Sequence, residues 1–327
     1  MIDLSPMQWA VAINASGQVA GTCETGSCLW HDGTVTYLGD MVVTVSFHFT
    51  DVLNDAGQVI GTCPTNQANV YHACLWDRGT LTDIDAASEV GNSYPNAINP
   101  AGQVVGVGSD GHAFLWSDGV MTDLGTLGGT ESEARAINPG GQVVGWSTTT
   151  AGARHAVLWR NGVPTDLDPL GQYEETDAYQ INPAGTIVGT ARLGGEDHVF
   201  LWDHGTLTDL GEGSYGDLDR PVEINPRGQV VGFLDFARGG WIWERGVRTL
   251  LEGLEPGAIT PAGRVVGIDW AAEPFARAFV WERGVQIELP VLGTGAGESW
   301  ALAINPAGQV IGHDWTSDAA VMWVREE

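Results

Sequence analysis

The 327-residue chain contains no lysine; 14 arginines face 41 acidic residues, for a net charge of −27. Without lysine there is neither a side-chain Schiff base nor a Walker-type phosphate loop. The acidic field repels phosphate backbones and anionic headgroups, so nucleic acid and bare membrane are not expected partners. No apolar run approaches the ~20 residues of a membrane-spanning helix. The opening Met1-Ile2-Asp3-Leu4 lacks the basic and apolar regions of a secretory signal. No nucleophile elbow, metal triad or Gly-rich phosphate loop is found, which withdraws support from the well-marked enzyme classes. Cysteine is scarce, with four in all.

Glycine (46), proline (15) and tryptophan (14) are plentiful and spread along the chain, as in an all-β protein of short strands and tight turns. The order behind them is a repeat of about forty residues. The pattern Ile-Asn-x-x-Gly-Gln-Val-x-Gly starts at Ile13, returns at Leu53, and recurs from Ile98, Ile137, Ile181, Ile224, Ile259 and Ile304. Each copy is followed by an apolar residue and tryptophan, at Trp30, Trp76, Trp116, Trp159, Trp202, Trp243, Trp281 and Trp323. In seven units a short strand then follows, best formed as Thr-Asp-Leu at 122–124, 165–167 and 208–210.

Each unit reads as four strands, a to d: the segment ending in Ile-Asn, the Gln-Val-x-Gly segment, the Leu-Trp segment and the Thr-Asp-Leu segment. Turns such as Asn99 to Gly102 place proline where φ is preset and glycine where a positive φ is needed. A lone four-stranded sheet cannot bury both faces, so the units must stack, with the Leu-Trp rings between them, into an eight-bladed β-propeller. The eighth unit lacks strand d, and Ile2-Asp3-Leu4 matches it, so the N-terminus is expected to complete the last blade. The whole chain is then one domain, with units near 5–39, 40–85, 86–125, 126–168, 169–211, 212–251, 252–290 and 291–327 plus 1–4. A seven-bladed ring with one deviant unit is the alternative.

The units at His112-Ala113-Phe114-Leu115-Trp116 and Thr122-Asp123-Leu124-Gly125-Thr126-Leu127-Gly128-Gly129, followed by Ala136-Ile137-Asn138, resemble the bacterial HAF repeat family of extracellular repeats. The resemblance spans essentially the whole chain. It implies a propeller-like fold and export, but no single activity. Units 1, 6, 7 and 8 lack the histidine of that motif. His72, His112, His155 and His198 recur in register, as do Asp83, Asp123, Asp166 and Asp209, which points to scaffold hydrogen bonding.

Cys23 and Cys28 lie two residues after Gly21 and two before Trp30; Cys63 and Cys74 have the same offsets from Gly61 and Trp76. Equivalent positions on strands b and c bring Cα atoms within disulfide reach, so the pairs Cys23–Cys28 and Cys63–Cys74 are expected. Reduced thiols and a four-cysteine zinc site joining two blades are the alternatives, the latter disfavoured by the lack of Cys-x-x-Cys spacing. Disulfides imply an oxidising compartment, hence an extracellular protein, against the visible N-terminus.

Residues that the scaffold requires recur, whereas those that serve a ligand depart from the register. Five places before the repeat asparagine stand Trp9, Phe49, Tyr94, Glu133, Asp177, Arg220, Glu255 and Trp300. With strand a innermost, Trp300, Trp9, Phe49 and Tyr94 form an aromatic arc at the channel mouth, opposite Glu133, Asp177, Arg220 and Glu255. Alternatively these side chains pack into the blade junctions. Further departures lie at the end of strand b: Trp146, Asp235, Asp269, Trp270, His313, Asp314 and Trp315. They share a face with the long, varied d-to-a connections, and function is expected there.

An apolar wall facing a few polar groups suits a small amphipathic, aromatic or glycan-like ligand. No cofactor, metal or nucleic-acid partner is called for, and a monomer is expected. Two other readings stay open. One is a cofactor-independent lyase, isomerase, cyclase or hydrolase using Glu133, Asp177 and Glu255 as acid and base. The other is a protein-interaction scaffold.

Overall fold

The computed structural model describes residues 1–43, 51–88, 91–168, 171–213, 223–235, 239–272, 274–292 and 297–324. Among them every regular element is a strand, and the strands form eight antiparallel sheets, the blades of a β-propeller. Blade 1 comprises Met7–Ile13, Val19–Cys23, Gly26–His31 and Thr34–Tyr37 as strands a to d. The other blades repeat that order, except that among the described residues blade 2 has only strands b to d. In blade 8 the fourth strand is Ile2–Asp3, with Ile2 opposite Met322 and Asp3 opposite Val321. Leu4, fully buried, donates its N–H to the Ala320 carbonyl and locks the closure.

Each letter of the repeat has a physical task. The asparagine side chain is the rivet between blades. Its Nδ2 donates to the backbone carbonyl of the equivalent residue in the next blade, from Asn14 to Asn54, on through Asn99, Asn138, Asn182 and Asn225 to Thr260, and from Asn305 back to Asn14, at 3.0 to 3.3 Å. These bonds encircle the axis and show that strand a is innermost. One link is missing, from blade 7 to blade 8, because Thr260 has no amide to donate. Its hydroxyl accepts instead from the Arg264 N–H within its own turn.

The turn glycines have φ of 75 to 88°, a region that β-carbons disfavour. A side chain at Gly17, Gly57 or Gly102 would also strike the repeat glutamine of the preceding blade, Gln309, Gln18 or Gln58. The last glycine of the pattern solves a different problem. Strand a carries a bulge, so that Gly21, Gly106, Gly145 and Gly312 lie directly beneath the carbonyls of Trp9, Tyr94, Glu133 and Trp300, where a Cβ cannot fit.

The core lies between blades, not within them. Leu4, Trp30 and Met322 join blades 8 and 1, Trp159 with Ala97 joins 3 and 4, and Val266 with Trp323 joins 7 and 8. Each large ring withdraws about 150–250 Å² from water, which makes these junctions the main favourable contribution to the fold. Strand b is accordingly buried on both sides, while strand d is largely exposed.

Blade 2 departs from the pattern. Val42 bridges Thr62, whereas Leu53 bridges Val59 and the Val52 carbonyl accepts from Ile60. Its inner edge is thus paired on either side of a stretch, 44–50, that lies outside the described residues.

Both disulfides form as the register requires, Cys23–Cys28 and Cys63–Cys74, each with Cα atoms 5.9 Å apart. The histidines also have the scaffold role that their recurrence indicated. His72, His112, His155 and His198 share hydrogen bonds with Asp83, Asp123, Asp166 and Asp209 at 2.8 to 3.1 Å. The aspartates in turn accept backbone N–H groups two residues on. Blade 7 makes the same cross-strand pair with Arg277 and Glu288 at 3.1 Å.

Candidate functional site

The start of each strand a and the end of each strand b meet on the face opposite the Asn-Pro-x-Gly turns, as the pairings Trp300 with His313 and Glu133 with Trp146 show. On this face the molecule has two unlike arcs.

The first spans blades 7, 8 and 1. His313, buried, stacks on Trp9 with centroids 4.2 Å apart, so the first blade packs directly on the last. Trp315 stands edge-on to Trp9 at 5.4 Å, to Trp300 at 5.2 Å and to His313 at 4.5 Å. Trp300 is in turn edge-on to Trp270 at 6.0 Å. Two of the indoles are held at their edges by carboxylates: Trp270 Nε1 donates to Glu255 at 2.6 Å and Trp300 Nε1 to Glu298 at 2.7 Å. Trp315 is 40% exposed, and Trp9, Trp270 and Trp300 are half-buried, so a stepped indole surface borders solvent.

The second arc spans blades 3 to 5 and is held by ion pairs. Glu133 accepts from Asn96 Nδ2 at 3.0 Å and from Trp146 Nε1 at 2.9 Å. Asp177, buried, accepts from Arg154 Nε at 2.8 Å, and the same guanidinium lies 3.9 Å over the Trp146 ring. Arg135 lies 4.3 Å over Tyr179 and within 4.0 Å of Glu133. Burial works against its charge, but Asp177, Tyr179 and Glu133 outweigh that and hold its pKa above the ordinary arginine value.

The sequence-derived candidates therefore divide. Trp9, Trp270, Trp300 and Trp315 come together, joined by His313. Tyr94 stands apart from them, lining with Asn96, Glu133 and Val107 a cavity of about 260 Å³. Phe49 and Arg220 lie outside the described residues, as does the side chain of Asp235. In blade 2 the place equivalent to Trp9 belongs to Val42, whose carbonyl faces Gly61 as that of Trp9 faces Gly21. Counting five places back from Asn54 reaches Phe49 instead.

Asp314 is fully buried, with its carboxylate accepting the N–H groups of Leu292 and Thr316. Asp269 likewise accepts from Ala271 N–H and Gln286 Nε2. The ligand contact expected of both is left to experiment; in the structure they bond these neighbouring segments. Glu133 and Asp177 share the Arg135 environment, whereas Glu255 sits on blade 7 beside Trp270.

Several functional-face residues were not singled out beforehand: Glu298, and the bulge residues Asn96, Arg135 and Tyr179. Each bulge residue precedes its repeat asparagine by three places, so a comparison at that register identifies them. Asp51 of blade 2 occupies the same register and lines, with Ile13, Ile98, Ile137 and Ile181, an axial recess of about 330 Å³ on the turn side. Enclosure raises its carboxyl. Across the axis, burial pushes Glu223 up to about 8, the charge of Asp51 adding to the effect and the Ile259 N–H opposing it. Asp110, His112 and Asp123 bring possible metal-ligand atoms within 4.8 Å of one another, but His112–Asp123 is the scaffold pair of blades 2, 4 and 5 as well.

No protein-family profile matches the sequence, and no curated protein matches it. Among solved structures, dipeptidyl peptidase 4 of Porphyromonas gingivalis superposes with a TM-score of 0.57 at 11% identity, covering 98% of this chain. The chain spans 59% of the length of that protein. Virginiamycin B lyase from Staphylococcus aureus (TM-score 0.46, 11% identity, covering 98% of this chain and 96% of that one) is also similar. So is the WD40 propeller domain of Doa1 (0.45, 14%, 100% and 96%). At such identities the likeness shows the propeller fold alone.

Proposed function

We propose that the protein is a binding module that holds a small amphipathic or aromatic ligand on the indole arc of blades 7, 8 and 1. The observation that carries this reading is the continuous chain Trp9–His313–Trp315–Trp300–Trp270, built where the repeat is broken and left partly open to solvent. Half-exposed indoles offer large, rigid contact area at low entropic cost. The carboxylates of Glu133 and Asp177, bonded to arginine, asparagine and indole partners, favour binding over acid–base chemistry. We also take the two disulfides, with the absence among the described residues of any helix long and apolar enough to cross a membrane, to support an extracellular setting.

The test is a ligand-observed NMR screen of small aromatic, amphipathic and oligosaccharide compounds against the native chain and Trp315→Ala. Hits that disappear with Trp315→Ala are expected. A screen without hits, or hits indifferent to that substitution, removes the reading.

A further inference from the structure

We propose that the ligand group received by Trp9, Trp300 and Trp315 is an organic ammonium cation, a methylated ammonium carried on a small molecule; this rests on the binding reading above. Trp315 packs edge-to-face with Trp300 and Trp9 at interplanar angles of 71° and 74°, and His313 covers one face of Trp9, so the parts of the three indoles left exposed stand at near right angles to one another. Aromatic walls of this kind attract cations through the negative faces of the rings. The edge of Trp300 is already committed, because its Nε1–H is donated to Glu298. A quaternary ammonium has no hydrogen bond to make and so does not depend on that donor. The bond to a carboxylate also places negative charge beside the ring system, which favours a cation at its face and disfavours an anion.

The protein contains its own precedent. In blade 4 an indole, Trp146, is covered by the Arg154 guanidinium at 3.9 Å, and that guanidinium is bonded to Asp177. The three components are an indole face, a cation and a carboxylate. At blade 8 the chain supplies indole faces and the Glu298 carboxylate, and the cation is the part a ligand would bring. The net charge of −27 further concentrates small cations near the surface.

The experiment is a tryptophan-fluorescence titration with choline, with its uncharged isostere 3,3-dimethylbutan-1-ol, and with chitobiose. Choline is expected to bind about tenfold or more tightly than the isostere, and more weakly as salt is raised to about 0.5 M. Trp315→Ala should weaken choline binding by about tenfold or more, Trp315→Phe by less, and Glu298→Gln should weaken choline without affecting the isostere. Thermal unfolding of each variant verifies that it is folded, and Trp315→Phe keeps a ring in place should the alanine variant fail to fold. If the isostere or the disaccharide binds as tightly as choline, the cation class is wrong while the binding reading stands. If choline does not bind the native chain, the inference falls, and the compound screen above decides separately whether the arc binds anything.

Discussion

The two arcs of the loop face solve the same problem of what to do with large side chains and charge near a propeller axis, and they solve it in opposite ways. Across blades 3 to 5 the charges are satisfied from within: Arg135 is held among Glu133, Asp177 and Tyr179, and Arg154 bonds Asp177 while covering Trp146. Across blades 7, 8 and 1 the rings contact one another, and the carboxylates grip their edges. A network of ion pairs commits its charged groups to one another. A stepped stack of half-exposed indoles leaves ring surface open to solvent. The difference teaches that register breaks in a repeat protein are of two kinds, one that ties blades together and one that leaves a surface.

The sharpest way to break this contrast is to remove the central cation of the ion-paired arc. Arg135→Met leaves the acidic groups Glu133 and Asp177 without it, and should cost about 3–5 kcal/mol in denaturant unfolding. Trp315→Ala on the other arc should cost less than about 1 kcal/mol, since that ring is already 40% exposed. Equal losses would erase the distinction.

Glu223, on the channel side between the arcs, gives a pH-dependent test. Its folded-state pKa of about 8 exceeds the ordinary 4.5, so between those values the native state keeps a proton that the unfolded chain has lost. Stability should therefore fall as pH rises through this window, with the loss complete above about pH 8. Glu223→Gln should remove on the order of 4 kcal/mol of that dependence, read as a smaller gap between melting temperatures at about pH 5 and pH 9. An unchanged gap would place the charge elsewhere.

The smallest effect concerns the seam beside the indole arc. Thr260→Asn restores the donor type found in the other seven blades and should supply the missing link to Asn305, raising stability by about 0.5–1.5 kcal/mol. No gain would mean that the blade 7–8 junction is set by its own packing around Trp323.

Much of the architecture was legible because a repeat states its rules eight times. The Asn-Pro-x-Gly turns, the in-register His–Asp pairs, the cysteine offsets and the Ile2-Asp3 match to a missing strand all hold in the structure. The candidate site was half legible. Trp9, Trp270, Trp300 and Trp315 stood out as departures, but their assembly through His313 depends on blade 1 meeting blade 8, a contact between residues some 300 positions apart in the chain. Blade 2 illustrates the limit of counting: five places before Asn54 stands Phe49, outside the described residues, whereas the carbonyl that faces Gly61 is that of Val42.

By itself the sequence determined the repeat and its turn chemistry and pointed to eight blades, the closing strand and the cysteine pairs, because each follows from a local pattern repeated at constant spacing. Only the tertiary structure decided which departures touch. The bulge in strand a puts Arg135 beside Tyr179, ring closure stacks Trp9 on His313, and the choice between ion-paired junction and open indole surface lies in contacts between neighbouring blades. Periodicity specifies what every blade shares, while packing across a junction depends on two different units at once, and no single repeat encodes it.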